Sequence, residues 1–140
     1  MKRRLFVGFT LFALLLAFAA NAYAGNTTKY STDNGDGTIT QVSNGLIWQK
    51  KNDTRLNWQE AVDYCNNNTA GLPGIGWRMP TIDELEATRT TRGLRTLPSF
   101  YWSKTSHENK PGSAWGVDFA DGFVRHGKKK DSWLFRCVRY

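Results

Sequence analysis

Two cysteines limit the folds open to this chain more than any other feature. Cys65 and Cys137 stand 72 positions apart in a sequence of 140 residues, so a bond between them would tie the middle of the chain to its last residues. Closing so long a loop is expected to stabilise a fold by about 4 kcal/mol. We predict a structural disulfide, and the sequence leaves a reactive pair and an intermolecular link open as alternatives.

The first 24 residues predict the compartment in which such a bond forms. Lys2, Arg3 and Arg4 precede an apolar run, and an Ala-Tyr-Ala segment then ends at Ala24. This is the layout of a secretory signal peptide, residues 1–24. The apolar run is short for a membrane span of ~20 residues, although an uncleaved anchor is an alternative. We predict a secreted or periplasmic protein with no membrane span after cleavage, in a compartment that permits disulfides.

Cleavage would leave residues 25–140, a length typical of a single domain. The full chain carries a net charge of +7. Without the three signal cations, 16 of its 19 lysines and arginines face 12 acids, and the net charge falls to +4. This mild excess permits an acidic partner without requiring one.

The segment from Asp33 to Lys50 begins like a calcium-binding loop. Such a loop needs side-chain oxygens at its first, third and fifth positions and glycine at its sixth. Counting from Asp33 places glycines at ligand positions, and counting from Asn34 places Ile39 where glycine is required. We therefore expect no metal site in this segment.

The same segment instead predicts a β-hairpin. Strand-forming residues flank Asn44-Gly45, a pair typical of two-residue turns. Pairing outward from this turn sets Val42 opposite Ile47. The alternation places three apolar side chains on the other face, namely Ile39, Leu46 and Trp48.

Two short helices are predicted by their N-terminal caps. Asn57 is followed three positions later by Glu60, and Thr81 by Glu84, as in a capping box. The first helix carries an apolar face of Trp58, Ala61, Val62 and Cys65. A glycine- and proline-rich loop separates the helices. Arg78, just before the second helix, could pair with Glu84, and we expect that pair to support the fold rather than form a site.

The last third predicts strands at residues 100–106, 113–119, 123–129 and 133–140. A two-residue turn at Asp121-Gly122 would join the middle pair. It would set Asp118 opposite Arg125, as a cross-strand ion pair, and Phe119 opposite Val124. A hairpin, two helices and antiparallel strands together predict an α+β domain.

These motifs, in this order, resemble a bacterial domain family. The stretches NGLIWQK, NWQEAVDYC, GWRMPTIDEL, YWSKT, AWGVDFADG and RCVRY are similar to the domain of unknown function named for the C-terminal region of a Legionella collagen-like adhesin. The most specific piece is WRMPTIDEL, residues 77–85. The resemblance covers nearly all of residues 25–140 and implies a C-type-lectin-like fold, related to formylglycine-generating enzymes, with a long-range disulfide.

Fold alone does not assign a function. Calcium-dependent lectins bind sugar through Glu-Pro-Asn or Gln-Pro-Asp and Trp-Asn-Asp segments, which this sequence lacks. It also lacks the His-Glu-x-x-His and Gly-x-Ser-x-Gly motifs of common hydrolases. We therefore expect a binding protein without a cofactor rather than an enzyme. A formylglycine-generating-like enzyme, which needs free cysteines in its groove, is the remaining catalytic alternative.

One dense basic cluster is the strongest candidate binding site. It suits sulfated or phosphorylated polymers, because each cation neutralises one anionic group. Trp133 lies beside it in sequence and offers a ring that could stack on a sugar. The alternative is a solvated charged face. The predicted site residues are Arg125, His126, Lys128, Lys129, Lys130 and Trp133, and Arg89, Arg92 and Arg95 could extend the cluster.

The sequence thus predicts an adhesin-like, calcium-independent module that binds an anionic glycan or another extracellular polyanion. Because the protein is expected outside the cytoplasm, nucleic acid is not the expected partner. The alternative function is a protein-interaction subunit of an envelope or surface assembly.

Overall fold

The computed structural model describes residues 31–91, 93–94 and 96–140. The predicted signal peptide lies outside these residues, as do Arg92 and Arg95. Within the described ranges no helix is both long and apolar enough to cross a membrane.

Short strands and two helices make up an α+β domain, as predicted. The strands are β1 (Ser31–Asp33), β2 (Thr38–Gln41), β3 (Ile47–Gln49), β4 (Arg55–Leu56), β5 (Phe100–Ser106), β6 (Ser113–Asp118), β7 (Phe123–Lys128), β8 (Trp133–Leu134) and β9 (Val138–Arg139). The helices are α1 (Trp58–Asn66) and α2 (Ile82–Ala87), and a 3₁₀ turn, Thr88–Thr90, follows α2.

Both helices begin where their caps predict. The Asn57 side chain accepts a hydrogen bond from the backbone N–H of Glu60 at 3.0 Å, and the Glu60 carboxylate accepts from the N–H of Asn57 at 3.1 Å. Thr81 and Glu84 repeat this exchange at the start of α2. The two capping boxes thus satisfy backbone donors that a helix start leaves unpaired.

The strands form two sheets, ordered β1-β2-β3-β9 and β4-β8-β5-β6-β7. Neighbouring residues of β5 face opposite sides of the larger sheet. On one side Phe100 and Trp102 pack with Ala61 of α1, and on the other Tyr101 packs with Leu85 of α2. The five-stranded sheet is therefore covered by one helix on each face.

The predicted disulfide is confirmed. Cys65 of α1 is bonded to Cys137, and both residues are buried. Each cysteine in the described chain is therefore engaged within the molecule, which removes the reactive pair and the intermolecular link as readings. A disulfide is compatible with an extracellular or periplasmic location.

The predicted register of the first hairpin is wrong by two residues. Ile47 lies opposite Thr40 rather than Val42, so the loop holds four residues, 42–45, instead of two. Gly45, at a φ of 72°, ends this loop and donates its N–H to the carbonyl of Gln41 at 2.8 Å. The longer loop leaves Val42 61% exposed.

A shift of two positions keeps every side chain on its predicted face. The three apolar residues expected to share a face are buried together with Leu94 and Val138. The prediction of the buried face therefore holds although the strand register does not. The residues are Ile39, Leu46 and Trp48.

The β6–β7 hairpin departs from its predicted register in the same way. Arg125 lies opposite Gly116, and Asp118 lies opposite Phe123, so this loop also has four residues, 119–122. Gly122, at a φ of 81°, donates to the carbonyl of Asp118 at 2.6 Å. Asp118 and Arg125 still form an ion pair at 3.5 Å, but diagonally across the strands.

The last predicted strand, residues 133–140, is in fact two. β8 belongs to the five-stranded sheet and β9 to the four-stranded sheet, and residues 135–137 cross between them. Cys137 therefore lies between strands and not within one. We call this crossing the junction, with Arg136 and Cys137 at its centre.

Arg136 contacts both sheets at the junction. Its side chain is 1% exposed, and its Nη1 donates to the carbonyl oxygens of Gln49, at 2.9 Å, and Lys50. Its guanidinium also lies over the Tyr101 ring, 5.8 Å from the centroid. Burial lowers the pKa of Arg136. The guanidinium thus joins the end of β3 to the core of the other sheet.

Candidate functional site

Strand β7 and the turn after it carry the predicted basic cluster. Because side chains alternate along a strand, Arg125 points to the face covered by α1, and His126 and Lys128 point to the opposite face. The six predicted residues therefore do not form one patch. The structure divides them among five environments.

Arg125 is engaged by neighbouring carboxylates. Its Nη1 and Nη2 donate to the two carboxylate oxygens of Asp121, both at 2.7 Å, and Asp118 lies 3.5 Å away. The hydrogen bonds from Arg125 lower the pKa of Asp121 to about 2. Much of the charge of Arg125 is thus balanced within the hairpin.

Lys129 is held by an aromatic ring. Its Nζ lies 4.2 Å from the centroid of Trp58 and donates to Ser106 Oγ at 2.8 Å. Its backbone is also fixed, since its N–H donates to Gly112 and its carbonyl accepts from the N–H of Trp58. Lys129 therefore contributes packing as well as charge.

Lys128 and Lys130 are exposed, and neither forms an ion pair or a side-chain hydrogen bond with the described part of the chain. They line a groove of about 630 Å³ between two turns. We call it the lysine groove. Its lining residues are Lys110, Pro111, Gly112, Ser113, Lys128, Lys129 and Lys130.

Lys110 also lines the lysine groove, although it is not part of the predicted cluster. It belongs to the turn between β5 and β6, where its N–H donates to His107 and its carbonyl accepts from Ser113. Because Ser113 lies directly opposite Lys128, this turn is adjacent to the end of β7. The signal available in the sequence was weak, since Lys110 is isolated from other cations along the chain.

A second groove, of about 570 Å³, lies on the other side of Lys128 and Lys130. Trp133 forms part of its wall, but the ring is half-buried and packs edge-on against Phe100, with the centroids 5.6 Å apart. We call it the mixed groove, because it combines aromatic rings, cations and carboxylates. Its lining residues are Phe100, Asp118, Arg125, His126, Gly127, Lys128, Lys130, Asp131 and Trp133.

The floor of the mixed groove depends on Gly127. A Cβ at this position would approach the Trp102 ring to 2.9 Å. The indole Nε1 of Trp133 is buried beneath the same glycine, without a hydrogen-bond partner in the described chain. Two carboxylates, Asp118 and Asp131, make this groove less suited to a polyanion than the lysine groove.

His126 belongs to an aromatic group on the outer face of β6 and β7. The ring of His107 stacks on Trp115 at 4.6 Å between centroids, and the ring of His126 meets both edge-on. The Nζ of Lys110 lies 3.1 Å from His126 Nε2. Burial lowers the pKa of His126, and the charges of Lys110 and His107 lower it further. Neutral pH therefore leaves this histidine uncharged.

No group of three or more histidine, cysteine, aspartate or glutamate side chains within the described ranges could hold a metal ion. In the segment that begins like a calcium loop, the acids bind protein groups. Asp33 forms an ion pair with Lys50, and Asp36 accepts from the backbone and hydroxyl of Thr38.

Arg78 and Glu84 form a doubly hydrogen-bonded ion pair, with both N–O distances 2.7 Å. The pair raises the pKa of Arg78 and lowers that of Glu84. Glu84 also caps α2, and the backbone of Arg78 pairs with Val138 of β9. These contacts join α2 to β9.

Arg89 pairs with Glu86 at 3.4 Å and does not line the lysine groove. The proposed extension of the cluster through Arg92 and Arg95 lies outside the described residues.

Comparison with known proteins identifies a family. A family model described as the Lcl C-terminal domain matches residues 37–139, which include every strand from β2 to β9 and both helices. The match is consistent with an adhesin-associated domain. No curated protein matches the chain.

Proposed function

Because this chain belongs to the Lcl C-terminal domain family, we propose that it is an exported, adhesin-like module that binds an anionic glycan or surface polymer without calcium. The lysine groove is the observation that carries this proposal. Its charged lining residues are all lysines, and they come from the β5–β6 turn and from the end of β7 with the turn that follows it.

The chemistry of the lysine groove fits sulfate or phosphate groups spaced along a polymer. Each ammonium that meets an anionic group releases a condensed counterion, which favours binding most at low salt. Lys128 and Lys130 need not break an ion pair within the described domain before they bind. Arg125, by contrast, would have to leave Asp121. We therefore assign the main contacts to Lys110, Lys128 and Lys130, with Lys129 fixed between them.

We also propose that the domain is not an enzyme. The oxygen chemistry of a formylglycine-generating-like site requires free cysteines, and both cysteines of this domain are joined in the buried disulfide. Intact mass of the purified protein, with and without reductant, would test this point. Two free thiols in the native protein would revive the catalytic alternative.

The direct test of the proposal is binding of a heparin oligosaccharide, followed by tryptophan fluorescence at ~0.15 M salt, where weak surface charge effects are mostly screened. We expect saturable binding by the mature protein. The variant K128Q/K130Q should bind about tenfold more weakly, at about 0.7 kcal/mol for each exposed contact.

The matched control is K50Q/K51Q, which removes the same charge beside the other sheet. Lys50 and Lys51 each pair with a nearby aspartate, Asp33 and Asp53. We expect this control to bind heparin nearly as the wild type does. Absence of binding by the wild type, or equal losses in both variants, would refute a specific lysine site.

A further inference from the structure

Strand β7 forms an open edge of the larger sheet. It is the last strand in the order β4-β8-β5-β6-β7, and it pairs only with β6 among the described strands. Five of its six residues are exposed. Strands in this position offer a row of unpaired backbone groups to another chain.

The hydrogen-bonding pattern shows which backbone groups point outward. The N–H of Lys129 donates to the carbonyl of Gly112, which marks that pair as hydrogen-bonded in the antiparallel ladder. Bonded and non-bonded pairs alternate along such a ladder. Residues 123, 125 and 127 therefore bond to β6, and the N–H and C=O groups of Val124 and His126 face away from it.

These groups of Val124 and His126 have no backbone partner among the described residues. The next outward carbonyl along the strand, that of Lys128, accepts from the N–H of Asp131. The outer edge thus presents two N–H groups and two C=O groups in the order that an added strand requires.

The charges beside this edge select the chemistry of the added strand. His126 and Lys128 share one face, with Lys110 3.1 Å from the His126 ring. Phe123 and Arg125 share the other face, and Phe123 is 64% exposed. A strand with carboxylates at alternate positions could aim all of them at the lysine face and its apolar residues at Phe123.

A second copy of the same strand fits poorly. Antiparallel pairing of two β7 strands about a two-fold axis near their middle would bring Arg125 of one copy opposite Arg125 of the other, and Asp121 balances each of these charges only in part. Like charges opposed across strands are destabilising. The edge is therefore better matched to an acidic partner than to itself.

We propose that β7 is a docking edge for an extended acidic segment of a partner protein, which adds to the sheet as a sixth strand. The inference goes beyond glycan binding, because it rests on the backbone of Val124 and His126 rather than on the lysine groove alone.

The probe is an eight-residue peptide of alternating glutamate and valine, capped at both ends. Amide hydrogen exchange of the whole mature domain, measured by NMR, reports the site. We expect the amides of Val124 and His126 to exchange at least tenfold more slowly with the peptide bound, because each gains an acceptor. A peptide of alternating lysine and valine should give no protection.

Two controls separate strand addition from simple charge attraction. The same acidic peptide with N-methyl groups at alternate positions keeps its charge but loses half of its backbone donors. Methylation at either the odd or the even positions removes the donors that face β7, so one of these two peptides should no longer protect the amides of Val124 and His126. The substitution Val124→Pro removes one outward N–H, as edge positions tolerate, and Val124→Thr keeps it.

Val124→Pro should weaken binding of the acidic peptide and leave heparin binding unchanged, whereas Val124→Thr should change neither. If the proline variant does not fold, the N-methylated peptides decide alone. The proposal is overturned if peptide binding is absent, if it survives both N-methyl patterns, or if the domain dimerises through β7 instead. Loss of heparin binding with peptide binding retained would count against the glycan proposal only.

Discussion

The junction and the lysine groove use positive charge in opposite ways. At the junction, Arg136 is buried and donates to two backbone carbonyls, and next to it Arg78 forms two hydrogen bonds with Glu84. In the lysine groove, Lys128 and Lys130 reach solvent without a partner in the described domain. Charge that is bonded internally holds a fold, and charge that is left open is available to a ligand.

This comparison separates stability from binding. Changes at the junction should destabilise the protein without a specific effect on ligand affinity. Changes in the lysine groove should weaken ligand binding and leave stability unchanged. A substitution that lowers both stability and ligand affinity would contradict this separation.

Removal of the disulfide should have the largest effect. The double variant C65A/C137A loses the bond that closes a 72-residue separation, so its free energy of unfolding should fall by about 4 kcal/mol. Guanidinium denaturation followed by tryptophan fluorescence measures this change. The fully reduced wild type is the matched control, and a loss below about 1 kcal/mol in both would show that the core alone holds the junction.

Substitution of Arg136 should come next. In R136M the carbonyls of Gln49 and Lys50 lose their donor while the side-chain volume is largely kept. We expect a loss of about 3 kcal/mol, because buried carbonyl groups without partners are costly. Heparin affinity of the fraction that remains folded should be unchanged. A stability equal to that of the wild type would mean that Arg136 is not a link between the sheets.

The helices and the disulfide were predictable because their determinants are local or unambiguous. A capping box acts within four residues, so Asn57 and Thr81 marked the helix starts correctly. Two cysteines allow a single internal pairing. The identity of the buried face was also predictable, since it depends on alternation rather than on register.

The hairpin registers were not predictable from Asn44-Gly45 and Asp121-Gly122. Each pair was assigned to a two-residue turn, but the glycine instead occupies the last position of a four-residue loop. In both loops the Asn or Asp side chain accepts the N–H two residues on, at 3.1 and 3.0 Å, which suits the longer form equally well.

The split of the last strand and the role of Lys110 depend on tertiary contacts. Nothing in residues 133–140 marks the crossing, where Arg136 is hydrogen-bonded to a strand distant in sequence. Lys110 joins the candidate site because the β5–β6 turn folds next to the end of β7. Neither fact has a local sequence signal.

Acid should change both stability and binding through His126. Its pKa is lowered in the folded protein, so the unfolded chain binds a proton more readily. The stabilisation is therefore present above the ordinary histidine value of 6.5 and is lost as pH falls through the lowered value. Protonation also adds a cation beside Lys110 and Lys128.

We thus expect opposite trends as pH falls from 7.5 to 5. Heparin affinity should rise about twofold, the effect of one added exposed charge, while the melting temperature falls. In H126Q both trends should be reduced relative to the wild type. A rise in heparin affinity of the same size in H126Q would show that groups other than His126 cause it.

The most direct test of the central claim is the salt dependence of heparin affinity for three proteins: the wild type, K128Q/K130Q and K50Q/K51Q. Counterion release makes the slope of log affinity against log salt a measure of the number of cations engaged. We predict that K128Q/K130Q reduces this slope by about two, with an unchanged free energy of unfolding, and that K50Q/K51Q leaves the slope unaltered. Equal slopes for all three proteins would contradict a ligand site in the lysine groove.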